Sequence, residues 1–200
     1  MQSSATRPLI LASTSRYRQN LLERLQLPFS VRAPGVDETP MSGETPAALA
    51  SRLALAKASA VADAAPHAVV IGCDQVADLH GQALGKPGNY EKALSQLRAM
   101  RGQTVVFQTA MAVLCREYGF CEEVLVPVRV VYREASDAQF DFYLRAEEPY
   151  DCAGSVKSEG LGIALMHSIH NDDPSALIGL PLIRLSAILG RAGLPVLGHL

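Results

Sequence analysis

Apolar positions along the 200-residue chain alternate between short continuous runs and stretches of helical period. Leu9, Ile10 and Leu11 form a strand-like run, and Leu21, Leu22 and Leu25 recur at helical spacing, so residues 13–18 are the turn from strand to helix. FSVRA is a second strand, and Thr45-Pro46 starts an Ala-rich helix to about residue 64, with an N-cap hydroxyl and a proline at the first helical position. HAVVIGCDQV reads as a buried strand ending at Asp74; His80-Gly81 is a turn between two strands, and Asn89 opens a helix through Arg101. Two long strands then meet around Tyr118-Gly119, which brings Cys115 and Cys121 near each other across a hairpin. Ser136 and Gln139 make a capping box for a helix to Glu147 that buries Phe140, Tyr143 and Leu144. GSVKSEGLGIALMHSI is loop and strand, and Asp173-Pro174 caps one last helix to about Arg191. Interleaved helices and strands with a long hairpin predict an α/β fold with a mixed sheet and no internal repeat.

Composition narrows the function. No low-complexity stretch divides the chain, so residues 1–200 are expected to form one domain, with room for two lobes around one sheet. A net charge of -2 argues against a partner such as polymeric nucleic acid, whose many phosphates demand clustered cations, but suits a small anion. The opening MQSSATRP has no targeting pattern, and the apolar stretch ALIGLPLIRLSAILG is broken by Arg184 and by turn residues, so a soluble protein of the cytoplasm is expected. Four cysteines without Cys-x-x-Cys spacing predict reduced thiols rather than a zinc site. The histidines at 67, 80, 167, 170 and 199 have neither metal-ligand nor triad spacing, and no Gly-x-Ser-x-Gly nucleophile motif occurs.

Chemistry gathers in the polar turns. Ser13, Thr14, Ser15, Arg16 and Arg18 surround the start of the first helix, where unpaired N–H groups and the dipole favour an anion; the same hydroxyls would serve as ordinary caps. The segment is neither a Walker loop nor a dinucleotide fingerprint. Asp37 and Glu38 are adjacent acids in a loop and become a metal site only with a further ligand, which Asp74 can supply; Asp74 is placed as either a general base or a hard-metal ligand. Lys86, between Gly85 and Pro87, suits a phosphate or solvent. Lys57 lies on an apolar helix face between Leu53 and Val61, where it either reaches a site or snorkels. Glu159, in the loop segment KSEG, carries little weight by itself.

Seven segments in order, LASTSRYR, VDETP, RLALAKA, IGCDQV, GKP, AGSVKSEG and DPSALIGLPL, resemble the Maf family of nucleotide pyrophosphatases over nearly the whole chain. LASTS, GCDQV and KSEG resemble the branch that hydrolyses 7-methyl-GTP, rather than those acting on dTTP and UTP. The resemblance implies an elongated mixed sheet with a cleft between two lobes, and hydrolysis of a nucleoside triphosphate to monophosphate and pyrophosphate with a divalent cation, Mg2+ or Mn2+. A small nucleotide is then the partner, with neither membrane nor nucleic acid, and a homodimer is compatible with the family. By position it assigns Ser13 and Arg18 to phosphate, Glu38 and Asp74 to metal, Asp74 also to proton transfer, Lys57 and Lys86 to the phosphates, and Tyr17, Gln75 and Glu159 to the base. Arg16 stands where many relatives have proline, Cys73 where Ser or Ala is usual, and Tyr17 where this branch commonly carries Trp. The competing readings are a pyrophosphatase for other nucleotides, such as UTP or dTTP, and a nucleotide-binding regulator without turnover; the second has no need of Glu38 and Asp74.

Overall fold

The computed structural model describes residues 7–198; the chain start on which the targeting expectation rests, and His199, lie outside the described residues. Strand β1 (Leu9–Ala12) leads into helix α1 (Arg16–Glu23) and strand β2 (Phe29–Val31). A polar loop then reaches helix α2 (Pro46–Asp63), strand β3 (Val69–Leu79), strand β4 (Gln82–Leu84) and helix α3 (Tyr90–Met100). The long hairpin is β5 (Thr104–Cys115) with β6 (Phe120–Tyr132), and α4 (Asp137–Glu147), β7 (Met166–His170) and α5 (Leu182–Arg191) complete the chain. Local chemistry accounts for most of these starts. Ser15, Thr45, Asn89 and Ser136 each accept a hydrogen bond from the backbone three residues on, and Ser136 with Gln139 forms the full capping box. His80 and Gly81 both have positive φ, which closes the β3–β4 turn in the form that matches strand twist.

Among the described residues, seven strands form one mixed sheet in the order β2-β1-β3-β5-β6-β7, with β4 also on β3. On one edge of β3, β5 pairs continuously with residues 70–78. On the other edge, β1 runs parallel to residues 69–72 and β4 antiparallel to residues 77–79. Residues 73–76 therefore face a gap between two neighbours, and the chain leaves β1 and β4 beside that gap. This arrangement separates two lobes while β3, β5 and β6 run through both. Leu11, Leu22, Ile71, Val113, Leu185 and Leu189 form a core in the first lobe under α1 and α5, with α2 on the opposite face. Leu97, Phe107, Val128, Phe140, Tyr143 and Leu144 form the core of the second, under α3 and α4. Among the described residues, no helix is long and apolar enough to cross a membrane.

Three expectations change. Strand β3 does not end at Asp74 but continues to Leu79, because β5 supplies hydrogen-bond partners far beyond the point where β1 stops. The last helix is two pieces: a 3-10 turn at Pro174–Ile178 ends at Gly179, whose φ is 121°, and α5 starts after Pro181. Asp173 nevertheless caps α5 across the break, accepting from the backbone N–H of Ile183 at 2.9 Å and Arg184 at 3.2 Å. Cys115 opposes Phe120, while Cys121 opposes Leu114; one thiol is buried, the other is exposed, and both are free.

Helix α2 lies directly on β3 at Gly72. A Cβ there would meet the Ala54 carbonyl oxygen at 2.2 Å and the Ala58 nitrogen at 2.5 Å. Gly72→Ala is therefore expected to push α2 off the sheet and lower stability by about 1–3 kcal/mol, the range for overpacking a dense core. Denaturant unfolding measures the loss, and an unchanged midpoint would contradict the contact.

Candidate active site

The gap in the sheet opens into a cleft of about 1040 Å³. Ser13, Tyr17, Arg18, Glu38, Lys57, Asp74, Gln75, Lys86 and Glu159 all line it, so the chain brings to one place every residue that the family resemblance assigns to the site, while Asp37 stays outside.

Strand alternation sends Asp74 toward α2 and Cys73 and Gln75 toward the opposite face. On the α2 side, the close contact at Gly72 brings Lys57 over the strand. Its ammonium lies 2.6 Å from Asp74 Oδ1 and 2.7 Å from Glu38 Oε1, so it bridges the two carboxylates. Lys57 and Asp74 are buried, and Glu38 is exposed. Lys57 thus reaches the site rather than snorkelling.

Glu38 arrives on a pinned loop. The Asp37 carboxylate accepts the Thr39 N–H at 2.9 Å, and Arg52 donates to the Thr39 carbonyl at 3.1 Å while forking onto Glu44 at 2.6 and 2.8 Å. The hydrogen bonds from Arg52 hold the Glu44 carboxyl down at about 2. Of the two adjacent acids, then, Asp37 shapes the turn and Glu38 enters the cleft. Partial burial works against the Glu38 carboxylate, but the Lys57 hydrogen bond and charge, with Lys86 and Arg18 behind it, hold its pKa below the ordinary value.

The chain leaving β1 forms one corner of the cleft. Ser13 Oγ accepts from the Ser15 N–H at 3.2 Å and from Arg18 at 3.4 Å, leaving its own proton available to donate. Ser15 caps α1, and Arg18 Nε donates to the Gly179 carbonyl at 3.0 Å. The Cys73 thiol donates to the same carbonyl at 2.9 Å, and burial pushes its pKa up to about 11. Lys86 enters from the other rim, just beyond the end of β4, and is exposed.

At the far wall, the Tyr17 hydroxyl lies 3.4 Å from Asp151 Oδ1, and burial followed by its hydrogen bond with Cys152 raises the phenol's pKa. Cys152, pushed up to about 12 chiefly by burial, is likewise protonated. Glu159 lines the same cleft on an exposed loop. The Gln75 amide nitrogen lies 2.9 to 3.0 Å from Thr109 Oγ1 and the Ala176 and Leu177 carbonyls. That nitrogen fixes the 174–178 turn, and only the Gln75 carbonyl oxygen is left for the cleft.

Sequence reasoning missed Asp151, Cys152 and the Gly179 carbonyl. The last lies within the DPSALIGLPL segment, where the Gly-Leu-Pro break after an apolar turn was the available signal.

Among the described residues, no three His, Cys, Asp or Glu side chains gather to form a metal cage. The donor set still fits magnesium or manganese, which bind through one or two carboxylates and complete their shells with phosphate and water oxygens. Each carboxylate commits one oxygen to Lys57, and no protein hydrogen bond among the described residues engages Asp74 Oδ2 or Glu38 Oε2.

Fold and site together define an α/β protein whose split sheet opposes a carboxylate pair to a hydroxyl, the guanidinium groups of Arg16 and Arg18, and two ammonium groups, an arrangement suited to a small polyanion. The chain belongs to the Maf family: the family described as Maf-like protein matches residues 8–192. It is 65% identical over 188 residues to a protein of Polaromonas sp. named 7-methyl-GTP pyrophosphatase, spanning 94% of this chain and 86% of that one. Proteins of the same name from Albidiferax ferrireducens and Bordetella pertussis are 60% and 56% identical, covering 99% and 96% of this chain and 100% and 96% of their own lengths.

Lys57→Met would leave Asp74 buried without its cation. A stability loss of about 3 kcal/mol is expected at neutral pH. The loss should shrink as pH falls into the carboxylate range, because an unpaired buried carboxylate has a raised pKa and becomes neutral first. Thermal unfolding of both proteins against pH tests this, and a pH-independent difference would contradict the bridge.

Proposed function

We propose that this chain is a nucleoside triphosphate pyrophosphatase that hydrolyses 7-methyl-GTP to 7-methyl-GMP and pyrophosphate. The observation that carries the reading is the Glu38–Lys57–Asp74 bridge set in the gap of the sheet, between Ser13 and Arg18 on one side and Lys86 on the other. The relatives' shared name supports the choice of base.

Water must lose a proton to attack a polyanion, and the attack must be aligned with the leaving group. Asp74 takes that proton; the water oxygen bonds to the α-phosphorus, the bond from that phosphorus to the bridging oxygen breaks, and pyrophosphate leaves with the electron pair. Lys57 orients the Asp74 carboxylate through Oδ1, so Oδ2 is the basic face. Arg18 and Lys86 stabilise the charge that develops on the pyrophosphate, and Ser13 with the first amides of α1 binds a phosphate oxygen. Glu38 and Asp74 are the residues that would hold Mg2+ or Mn2+, which when bound supplies neutralisation of phosphate charge. A carboxylate's several lone-pair directions let Asp74 serve both ends.

The base selects by charge. A 7-methylguanine ring is cationic, and the Tyr17 face would hold it by a cation–π contact of ~0.5–2 kcal/mol, Tyr being a weaker platform than Trp. Glu159 would accept from the ring N1–H and 2-amino groups in a bidentate, charge-assisted pair that uracil and thymine cannot match. The free thiols and acidic net charge suit work on this small nucleotide in the reducing cytoplasm.

Pyrophosphate release over a panel of 7-methyl-GTP, GTP, UTP and dTTP, with and without Mg2+ or Mn2+, tests the reading. The expected result is the highest kcat/KM on 7-methyl-GTP, dependent on the metal; preference for UTP or dTTP would move the chain to another substrate. Asp74→Asn should abolish turnover while leaving nucleotide binding. Glu159→Gln should narrow the gap between 7-methyl-GTP and GTP, and an unchanged ratio would remove Glu159 from base reading.

A further inference from the structure

Glu159 is exposed on a segment with no strand and only short 3-10 turns, at Ala153–Ser155 and Leu161–Leu165. A carboxylate in that setting reads a base only if its loop is held in place, since a mobile group loses to entropy what it gains in contact. The holding comes from the last turn of α4, behind the cleft wall. Glu147 Oε1 accepts the Leu161 N–H at 2.7 Å, two residues after Glu159. Two residues before it, the Lys157 ammonium donates to the Glu147 carbonyl at 2.6 Å and lies 4.0 Å from Glu147 Oε2. The Lys157 N–H donates to the buried Tyr143 hydroxyl at 3.0 Å, and that hydroxyl donates to the Ser155 carbonyl at 3.3 Å. The turn closes over Glu147 so tightly that a Cβ on Gly160 would lie 2.6 Å from its Oε1. Neither Glu147 nor Lys157 lines the cleft.

We propose that Glu147 is a positioning residue for substrate selection: from α4 it clasps both flanks of the Glu159 turn and fixes that carboxylate toward the base. The proposal rests on the reading of the site as one for 7-methyl-GTP. Glu147 touches no reacting group, so the clasp acts on KM for a base that Glu159 contacts and leaves the phosphate chemistry alone.

The test is steady-state kinetics on 7-methyl-GTP and UTP, together with hydrogen exchange over residues 157–161, for wild type, Glu147→Ala and Glu147→Gln. Glu147→Ala should raise KM for 7-methyl-GTP about tenfold, the worth of one charge-assisted hydrogen bond, with kcat and UTP hydrolysis little changed and faster exchange in the turn. Glu147→Gln keeps an acceptor for the Leu161 N–H and should restore most of both. Gly160→Ala should mimic Glu147→Ala in the wild-type background and cost less once Glu147 is Ala, because the obstructing atom has gone. Unchanged exchange in Glu147→Ala, or an unchanged ratio of 7-methyl-GTP to UTP in an enzyme that otherwise discriminates, overturns the clasp. An equal fall of kcat on both nucleotides does so too. Failure of the substrate reading is distinguishable, since it shows in the wild-type protein as no preference for 7-methyl-GTP.

Discussion

The open edge of β3 is the constraint on which the rest of the molecule depends. β5 holds the strand straight through both lobes, while β1 and β4 cover only its ends. A strand so anchored on one side cannot bend into the gap, and the gap cannot close without breaking the ladder to β5. Asp74 therefore sits in the middle of a rigid strand and yet borders a cleft, a combination that ordinarily requires a strand terminus. The two turns that flank the gap carry Ser13 with Arg18 and Lys86, so backbone topology alone sets cations on opposite rims of a carboxylate.

The second layer of order comes from the 173–179 turn. The buried Asp173 accepts from Ser175 Oγ at 2.7 Å and from two amides of α5, and Ser175 accepts the Leu182 N–H at 2.7 Å. These bonds satisfy the first turn of α5 without a cap of its own and lock the turn that precedes it. The carbonyls of that turn then face β3: those of Ala176 and Leu177 hold Gln75, and that of Gly179 holds Arg18 and Cys73. Arg18 is thus aimed by a residue 161 positions away, with Ser13 steadying its other end. Charge on the opposite face is balanced more simply, by one ammonium between two carboxylates, and the cost of burying Lys57 and Asp74 is offset because each is the other's partner.

Much of this architecture was legible in local chemistry. The caps at Thr45, Asn89 and Ser136, the His80-Gly81 turn and the Phe140, Tyr143 and Leu144 face involve neighbours within a few residues, and each lies where its pattern placed it. The end of β3 was not legible, because it depends on the length of β5, which begins only at Thr104, well beyond Leu79 in the chain. The break at Gly179 was hidden by an apolar period that runs on through it. Lys57 gave opposite readings for the same reason: an apolar helix face says that the stem is buried and nothing about what the ammonium meets.

The sequence by itself determined the element order, the caps and the roster of residues able to handle phosphate, because side-chain chemistry and short-range hydrogen bonds do not depend on distant partners. Only the tertiary structure decided that Asp37 shapes its loop while Glu38 reaches the cleft, and that Gln75 spends its amide on the 174–178 turn. It also decided that Glu147, with no chemistry of its own to perform, holds the turn that presents Glu159. Each of those outcomes turns on which groups lie within about 3 Å after folding, and a hydrogen bond falls off so steeply with distance and angle that no pattern along the chain can stand in for that proximity.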